Sequence, residues 1–373
     1  MQDVGLYIHI PFCKMKCYYC DFPSFSGKEE NMIPYAQALS KEIQNICKDK
    51  NIKSIFIGGG TPTYLSLQGW IILKEAIDKL EKQHIEFTIE GNPKTFTEEK
   101  LKLFREMGVN RISVGLQAWQ EAHLKSLGRI HSLQEFKNTY DLLRAYGFTN
   151  INVDIMFGLP NQTVAQWRET LHQVISLKPE HISAYSLIIE EGTHFYNLYE
   201  KDQLILPNEE EERQMYEDAV NILKENGYNQ YEISNFAKEG MECKHNLIYW
   251  SLENYVGCGS AAHSYLEGVR YRNEENIEKY ICKVNNENNA IIQKHLNSKE
   301  ENMEEFMFLG LRKTKGVSTL EFEKNFGEDI HKVYGKVIEK YIKLELLKED
   351  SERIYLTPKG VELSNVVMSD FLL

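Results

Sequence analysis

The stretch Leu6-Tyr7-Ile8-His9-Ile10-Pro11-Phe12-Cys13-Lys14-Met15-Lys16-Cys17-Tyr18-Tyr19-Cys20 runs from an alternating strand pattern straight into three cysteines. Side chains alternate across a strand with period two, so Leu6, Ile8 and Ile10 share one face and Tyr7 and His9 the other. Five further β-rich runs follow at Ser54–Ile57, Ile85–Ile89, Arg111–Leu116, Ile151–Ile155 and His181–Ser186. Between them lie amphipathic segments at Leu67–Lys82, Leu101–Met107, Leu133–Tyr146 and Val164–Leu177. Strands alternating with helices imply a parallel sheet with right-handed crossovers. Six such units predict an α/β fold built as a partial (β/α)6 barrel, not a closed eight-fold one.

The faces of the strands refine this. In the third run Phe87 and Ile89 oppose Glu86, Thr88 and Glu90; in the fourth Ile112, Val114 and Leu116 oppose Arg111, Ser113 and Gln117; in the fifth Val153 and Ile155 oppose Asn152 and Asp154. The aliphatic face meets the helices and the second face is polar. A closed barrel fills its lumen with branched apolar side chains. A polar inner face therefore fits an open, splayed barrel with a ligand inside. The alternative is a sheet with one solvated face, which parallel sheets seldom show.

The chain has 373 residues, enough for one large domain and a small one. Hydrophobic residues make up 42% and charged residues 26%, which excludes a disordered or fibrous chain. A net charge of −12 argues against nucleic acid as partner. No apolar run reaches the length of a membrane span, so any membrane contact is expected to be peripheral. Met1–Gly5 has no signal-peptide pattern, and a cytoplasmic location is expected.

After the sixth run Asn208–Asn226 opens with four glutamates, a favourable helix start. Tyr231–Phe236 and an irregular stretch containing His245 and Trp250 come next, and Asn285–Asn289 reads as a loop. Helices near Leu320–Asn325 and Ile330–Leu344, followed by Leu347–Leu356, give a mostly helical, winged-helix-like end. It carries nine basic and eleven acidic residues from Lys315 to Leu373, so we read it as a packing or capping module and not as a DNA reader. The expected organisation is a barrel over 1–205, a connecting region over 206–299 and a C-terminal domain over 300–373.

Cys13, Cys17 and Cys20 carry the chemistry. Three thiolates from one loop can hold three irons of a cubane and leave the fourth open to an external ligand. The alternative is a structural zinc completed by Cys47 or a histidine. Gly58-Gly59-Gly60-Thr61-Pro62-Thr63 closes the second run, where glycines admit a ligand to the backbone and leave amide donors outward. Glu90, Gln117 and Asp154 lie near the C-terminal ends of successive strands, where β/α barrels place their sites. Asp154 suits ribose hydroxyls and Arg129 suits a carboxylate.

The C-x3-C-x2-C spacing after the first strand of a β/α repeat resembles the signature of the radical S-adenosylmethionine (SAM) enzymes. The strings YIHIPFC (7–13), CYYCDF (17–22), GGGTPT (58–63), LGRIH (127–131) and DIMFGLP (154–160) resemble one branch of it. That branch holds the oxygen-independent coproporphyrinogen III oxidases and the haem chaperones of the HemW type. The resemblance covers nearly the whole chain. It implies a radical-SAM barrel with a [4Fe–4S] cluster on Cys13, Cys17 and Cys20, and SAM chelated to the open iron. Carried over by position, the SAM contacts are Tyr7, Tyr19, Gly59, Gly60, Thr61, Glu90, Gln117, Arg129, Asp154 and Ile188.

Two departures separate this chain from the oxidases. They carry a further cysteine two residues after the cluster motif, where this sequence has Phe22, and an N-terminal extension, where this sequence has Met1–Gly5 before the first strand. In contrast, His245-Asn246-Leu247-Ile248-Tyr249-Trp250 resembles the HNxxYW motif of the chaperones. A histidine can ligate haem iron, and tyrosine and tryptophan can cover a porphyrin face. Expected haem contacts are thus His245, Asn246, Tyr249 and Trp250, with Cys243 and His263 as further ligand candidates. The leading expectation is a haem chaperone that binds a cluster, SAM and haem and delivers haem to an apo-haemoprotein. The alternative is an oxygen-independent coproporphyrinogen III oxidase acting on a porphyrinogen, and a DNA-binding iron–sulfur regulator is a remote third. A flavodoxin or ferredoxin would be the electron donor if SAM is cleaved.

Overall fold

In the computed structural model, which describes residues 1–82 and 85–373, the six expected strands form the core of one sheet. They are β1 (Gln2–Ile10), β2 (Lys50–Gly59), β3 (Glu86–Gly91), β4 (Arg111–Gln117), β5 (Ile151–Phe157) and β6 (His181–Ser186), each paired in parallel with the next. Leu6, Ile8 and Ile10 are fully buried under the helices, as are Ile55, Ile57, Ile112, Val114, Val153 and Ile155. The opposite face carries Ser54, Glu86, Thr88, Arg111, Ser113, Asn152, His181 and Ser183, all buried. The alternation thus divides a helix-covered face from a polar lumen.

The crossovers are α1 (Met32–Ile46), α2 (Leu67–Ile77), α3 (Glu98–Met107), α4 (Glu121–Ser126), α5 (Leu133–Ala145) and α6 (Val164–Ser176). Thr97, Ser132 and Thr163 cap α3, α5 and α6 by accepting from backbone N–H groups three residues on. The second helix ends at Ile77, short of the expected Lys82, where Lys74 and Lys82 both bond Asp78. After α7 (His194–Tyr199), α8 (Glu209–Glu225) begins in a capping box between Asn208 and Glu211.

The region 206–299 does more than connect. Its strands β7 (Asn229–Glu232) and β8 (Asn235–Ala237) add to the β6 edge of the sheet. After α9 (Lys244–Trp250), strands β9 (Tyr255–Cys258), β10 (His263–Leu266), β11 (Val269–Asn273) and β12 (Ile291–Leu296) add to the β1 edge. The result is a 12-stranded sheet ordered β12-β11-β10-β9-β1-β2-β3-β4-β5-β6-β8-β7. The polar run Asn285–Asn289, expected as a loop, is partly helical. It contains the end of α10 (Ile277–Glu287), which stops at Asn288 in the left-handed region.

The chain then forms α11 (Lys299–Gly310), β13 (Val317–Ser318), α12 (Thr319–Phe326), α13 (Ile330–Lys343), β14 (Leu347–Glu349), β15 (Arg353–Leu356), α14 (Pro358–Glu362) and α15 (Ser364–Ser369). A three-stranded sheet ordered β13-β15-β14 packs with these helices around a separate core that includes Phe306, Phe322, Tyr334, Ile354 and Phe371.

Candidate functional site

The cluster loop leaves β1 at the C-terminal edge of the sheet. Cys13 is buried, and Cys17 and Cys20 are half-buried. Burial raises the Cys13 thiol above its usual range and pushes Cys20 up to about 11. Protein alone therefore disfavours the Cys13 and Cys20 thiolates, and a bound metal centre would reverse that balance. Among the described residues no three His, Cys, Asp or Glu side chains surround a point that fits a single metal ion. A cubane seats each thiolate on a different iron. Cys47, the zinc alternative's fourth ligand, is buried with its thiol bonded to Cys258.

The glycine loop closes on the cluster loop. Gly60 N–H donates to Ile10 O and Thr61 N–H to Phe12 O, each at 2.9 Å. A Cβ on Gly60 would stand 2.9 Å from Cys13 Sγ, and one on Gly59, whose φ is +114°, would stand 2.6 Å from the His9 ring. These glycines allow close chain approach. Their expected role as outward amide donors is corrected, because Gly60 spends its N–H on the end of β1, Thr61 on the cluster loop and Gly59 on Glu90.

From there a polar chain crosses the strand ends. Asn92 donates to Thr61 Oγ1 at 2.9 Å and accepts from Arg129 Nη2 at 2.6 Å. Arg129 Nη2 also donates to Gly115 O at 2.6 Å, and Nη1 donates to Cys17 Sγ at 3.5 Å. Gln117 sits at a β-bulge with φ +74°, its amide beside the Asn92 amide and the Arg129 guanidinium over Gly115. Such strained positions collect at functional sites. Arg129 Nε is buried and has no acceptor among the described residues. Cys17, Thr61, Asn92 and Arg129 share a cleft of about 260 Å³ with Lys14 and Lys100.

Deeper in the lumen, Asp154 accepts from Ser113 at 2.9 Å and from Asn152 at 2.7 Å. Burial raises its carboxyl, while the bonds from Ser113, Asn152 and Ser183 and the charge of Arg111 oppose the rise. Burial and the nearby Asp154 push Glu90 up to about 8. The pair therefore retains protons at neutral pH more readily than exposed carboxyls do. Tyr19 stands in the electrostatic reach of Arg129, Cys17 and Asp154. Tyr7 bonds His9 Nδ1 at 2.9 Å. Ile188 is 65% exposed, beyond the end of β6, and joins no part of this network.

The HNxxYW segment is the short helix α9, not irregular chain. Glu86 of β3 accepts the N–H groups of Lys244 and His245, each at 3.0 Å, which satisfies two donors at the helix start. His245 is fully buried. Its Nδ1 lies 2.8 Å from Ser54 Oγ and its Nε2 2.7 Å from Tyr249 Oη. Burial holds it neutral, with a pKa lowered to about 3. Both ring nitrogens have partners, so the expectation of an accessible haem ligand at His245 is corrected. It positions Tyr249 from behind. Cys243 is likewise buried, its thiol donating to Glu86. Asn246 is absent from the cavity wall, whereas Tyr249 and Trp250 face a cavity of about 420 Å³ together with Tyr7, Phe22 and Tyr255.

Sequence reasoning passed over Asn92, which joins the glycine loop to Arg129. Its signal was the Asn92-Pro93 turn directly after Glu90. It also left Asn152 and Ser113 without roles, although both lie on the predicted polar face.

Residues 7–174 match the profile of the radical SAM superfamily, and residues 297–363 match the HemN C-terminal domain. The chain is similar to "Heme chaperone HemW" of Bacillus subtilis, at 41% identity over 98% of this chain and 98% of that protein. It is similar to the protein of the same name from Lactococcus lactis, at 40% identity over 98% and 97%. Its fold matches the solved structure of coproporphyrinogen III oxidase (HemN) from Escherichia coli with a TM-score of 0.86 and 21% identity, over 100% of this chain and 90% of that one.

Proposed function

The chain belongs to the radical SAM superfamily and, within it, to the family of HemW haem chaperones, and on that premise we propose that it carries haem and delivers it to apo-haemoproteins in the cytoplasm. The observation that carries this reading is the placement of Tyr249 and Trp250 on an aromatic cavity lined also by Phe22 of the cluster loop. Among the described residues no helix is long and apolar enough to cross a membrane.

Cys13, Cys17 and Cys20 would hold a [4Fe–4S] cluster. With SAM bound, the cluster would supply one-electron chemistry. The chain's own part is binding and orientation. Arg129 ties Cys17, Asn92 and the β4 end together and has donor capacity left for a carboxylate. Asp154 keeps lone-pair capacity beyond the bonds from Ser113, Asn152 and Ser183, which suits ribose hydroxyls. Glu90, held protonated more readily than an exposed carboxyl, can donate as well as accept. Tyr7, Tyr19, Gly59, Gly60, Thr61 and Gln117 would complete the SAM wall. Ile188 would have to come in from its exposed position. A flavodoxin or ferredoxin would supply the electron wherever SAM is cleaved.

The second reading, coproporphyrinogen III oxidase, is favoured by the shared fold. Phe22 in place of the further cysteine stands against it.

The test is haem transfer. The full chain is loaded with haem and mixed with an apo-haemoprotein, and the change in Soret absorbance is followed. Acceptor loading that persists in the presence of a free-haem scavenger supports delivery by contact. Loading abolished by the scavenger, or haem that never leaves, refutes it.

A further inference from the structure

The cavity beside the cluster loop has a wall on β10 and β11 that the roles above leave unused. His263 and Arg272 are partners across this antiparallel pair, and both line the cavity. The lumen histidines His9, His181 and His245 each have both ring nitrogens bonded. In contrast, His263 is exposed, and among the described residues no side-chain hydrogen bond reaches its ring. Partial burial and the guanidinium groups of Arg272 and Arg270 lower its pKa, which leaves an imidazole lone pair free at neutral pH.

The two arginines differ. Arg270 is neutralised by Glu305, with Nη2 at 2.7 Å, and it also bonds Tyr255. Arg272 has no carboxylate partner among the described residues, and its buried Nε lacks an acceptor. Trp250, which lines the same cavity, also has a buried Nε1 without an acceptor among the described residues. Unsatisfied buried donors are uncommon and call for a partner. Glu275 is the one acidic side chain on the wall, and it is exposed. The cavity therefore offers aromatic faces, a free imidazole nitrogen and, in Arg272, a guanidinium with no carboxylate partner among the described residues. That set matches a flat, metal-bearing aromatic ring with carboxylate arms.

We propose that this cavity is the seat of the haem cargo, with His263 as axial ligand to the iron and Arg272 as the partner of a propionate. The assignment rests on the haem-carrying reading above. It moves the ligand from the buried His245 to the β10–β11 pair and leaves Tyr249 and Trp250 as walls.

The test uses the full chain and three probes: ferric haem, ferric haem dimethyl ester and iron-free protoporphyrin. Binding is followed by Soret absorbance and ligation by resonance Raman. His263→Ala is expected to lose the histidine-ligated signature and to weaken haem binding about tenfold or more. It should bind iron-free protoporphyrin like the parent chain, which also confirms that the variant folds. Arg272→Ala is expected to weaken haem about tenfold, yet to bind the dimethyl ester like the parent chain. Unchanged ligation in His263→Ala, or an equal loss for haem and its ester in Arg272→Ala, overturns the assignment. If the parent chain binds no haem, the carrier reading itself falls.

Discussion

Arg129 Nη1 donates to Cys17 Sγ at 3.5 Å across 112 residues of chain. The same guanidinium holds Asn92 and the carbonyl of Gly115, so one side chain ties the cluster loop to the ends of β3 and β4. A guanidinium at this distance balances part of the charge of an anionic cluster. The cluster loop is thus fixed from the opposite strands as well as from β1.

Arg129→Lys retains the charge and loses the fork. We predict that the variant still assembles a cluster but binds SAM about tenfold or more weakly, since hydrogen bonds to charged groups contribute about 1.5–3 kcal/mol. Calorimetric titration of the anaerobically reconstituted protein checks this. Parent-like SAM affinity would remove Arg129 from the binding wall.

Replacing Cys13, Cys17 or Cys20 with alanine should each abolish the brown chromophore and most bound iron. Cys47→Ser and Cys258→Ser should retain both, because those two buried free thiols hydrogen-bond each other. Iron content and visible absorbance under anaerobic conditions decide it. A chromophore lost only with Cys47 or Cys258 would contradict the whole cluster assignment.

Glu42 is a buried hub joining α1 to the β1 edge of the sheet. It accepts from Gly259 N–H at 2.7 Å, Asn273 at 2.8 Å and Tyr280 at 2.6 Å. Burial pushes it from 4.5 to about 7, against those bonds. The folded state then holds a proton that the unfolded chain releases between these values. This contribution to stability is full below pH 4.5 and is lost as pH rises to about 7. Glu42→Gln should flatten that slope in denaturant titrations across the window. A slope equal to that of the parent chain would assign the dependence to other groups.

His245→Ala would strand Ser54 Oγ and Tyr249 Oη and open a void in the core. We expect a loss of about 2–4 kcal/mol in urea unfolding. Parent-like stability combined with loss of haem ligation would restore His245 as a ligand and contradict its buried role.

Much of this was legible in the sequence, for local reasons. Period-two alternation separated Leu6, Ile8 and Ile10 from Tyr7 and His9, and it placed Glu90 and Asp154 on the lumen face. Helix α1 was readable but passed over, since Tyr35, Ala36, Leu39 and Ile43 follow helical spacing and are buried. Helix α9 was not, because seven residues carry too little periodicity and its start is stabilised by Glu86, from far along the chain. The fate of His245 likewise depended on Ser54 of β2, a contact no local pattern encodes. Edge strands β9–β12 follow from pairing with β1 more than from their own composition.

The most direct test of the central claim is an anaerobic turnover assay on cluster-reconstituted protein supplied with SAM, a strong reductant and coproporphyrinogen III, with porphyrins resolved by chromatography and mass. The account predicts no protoporphyrinogen from protein that still binds SAM and haem. Protoporphyrinogen formed at catalytic turnover would contradict it and make the chain an oxidase despite Phe22.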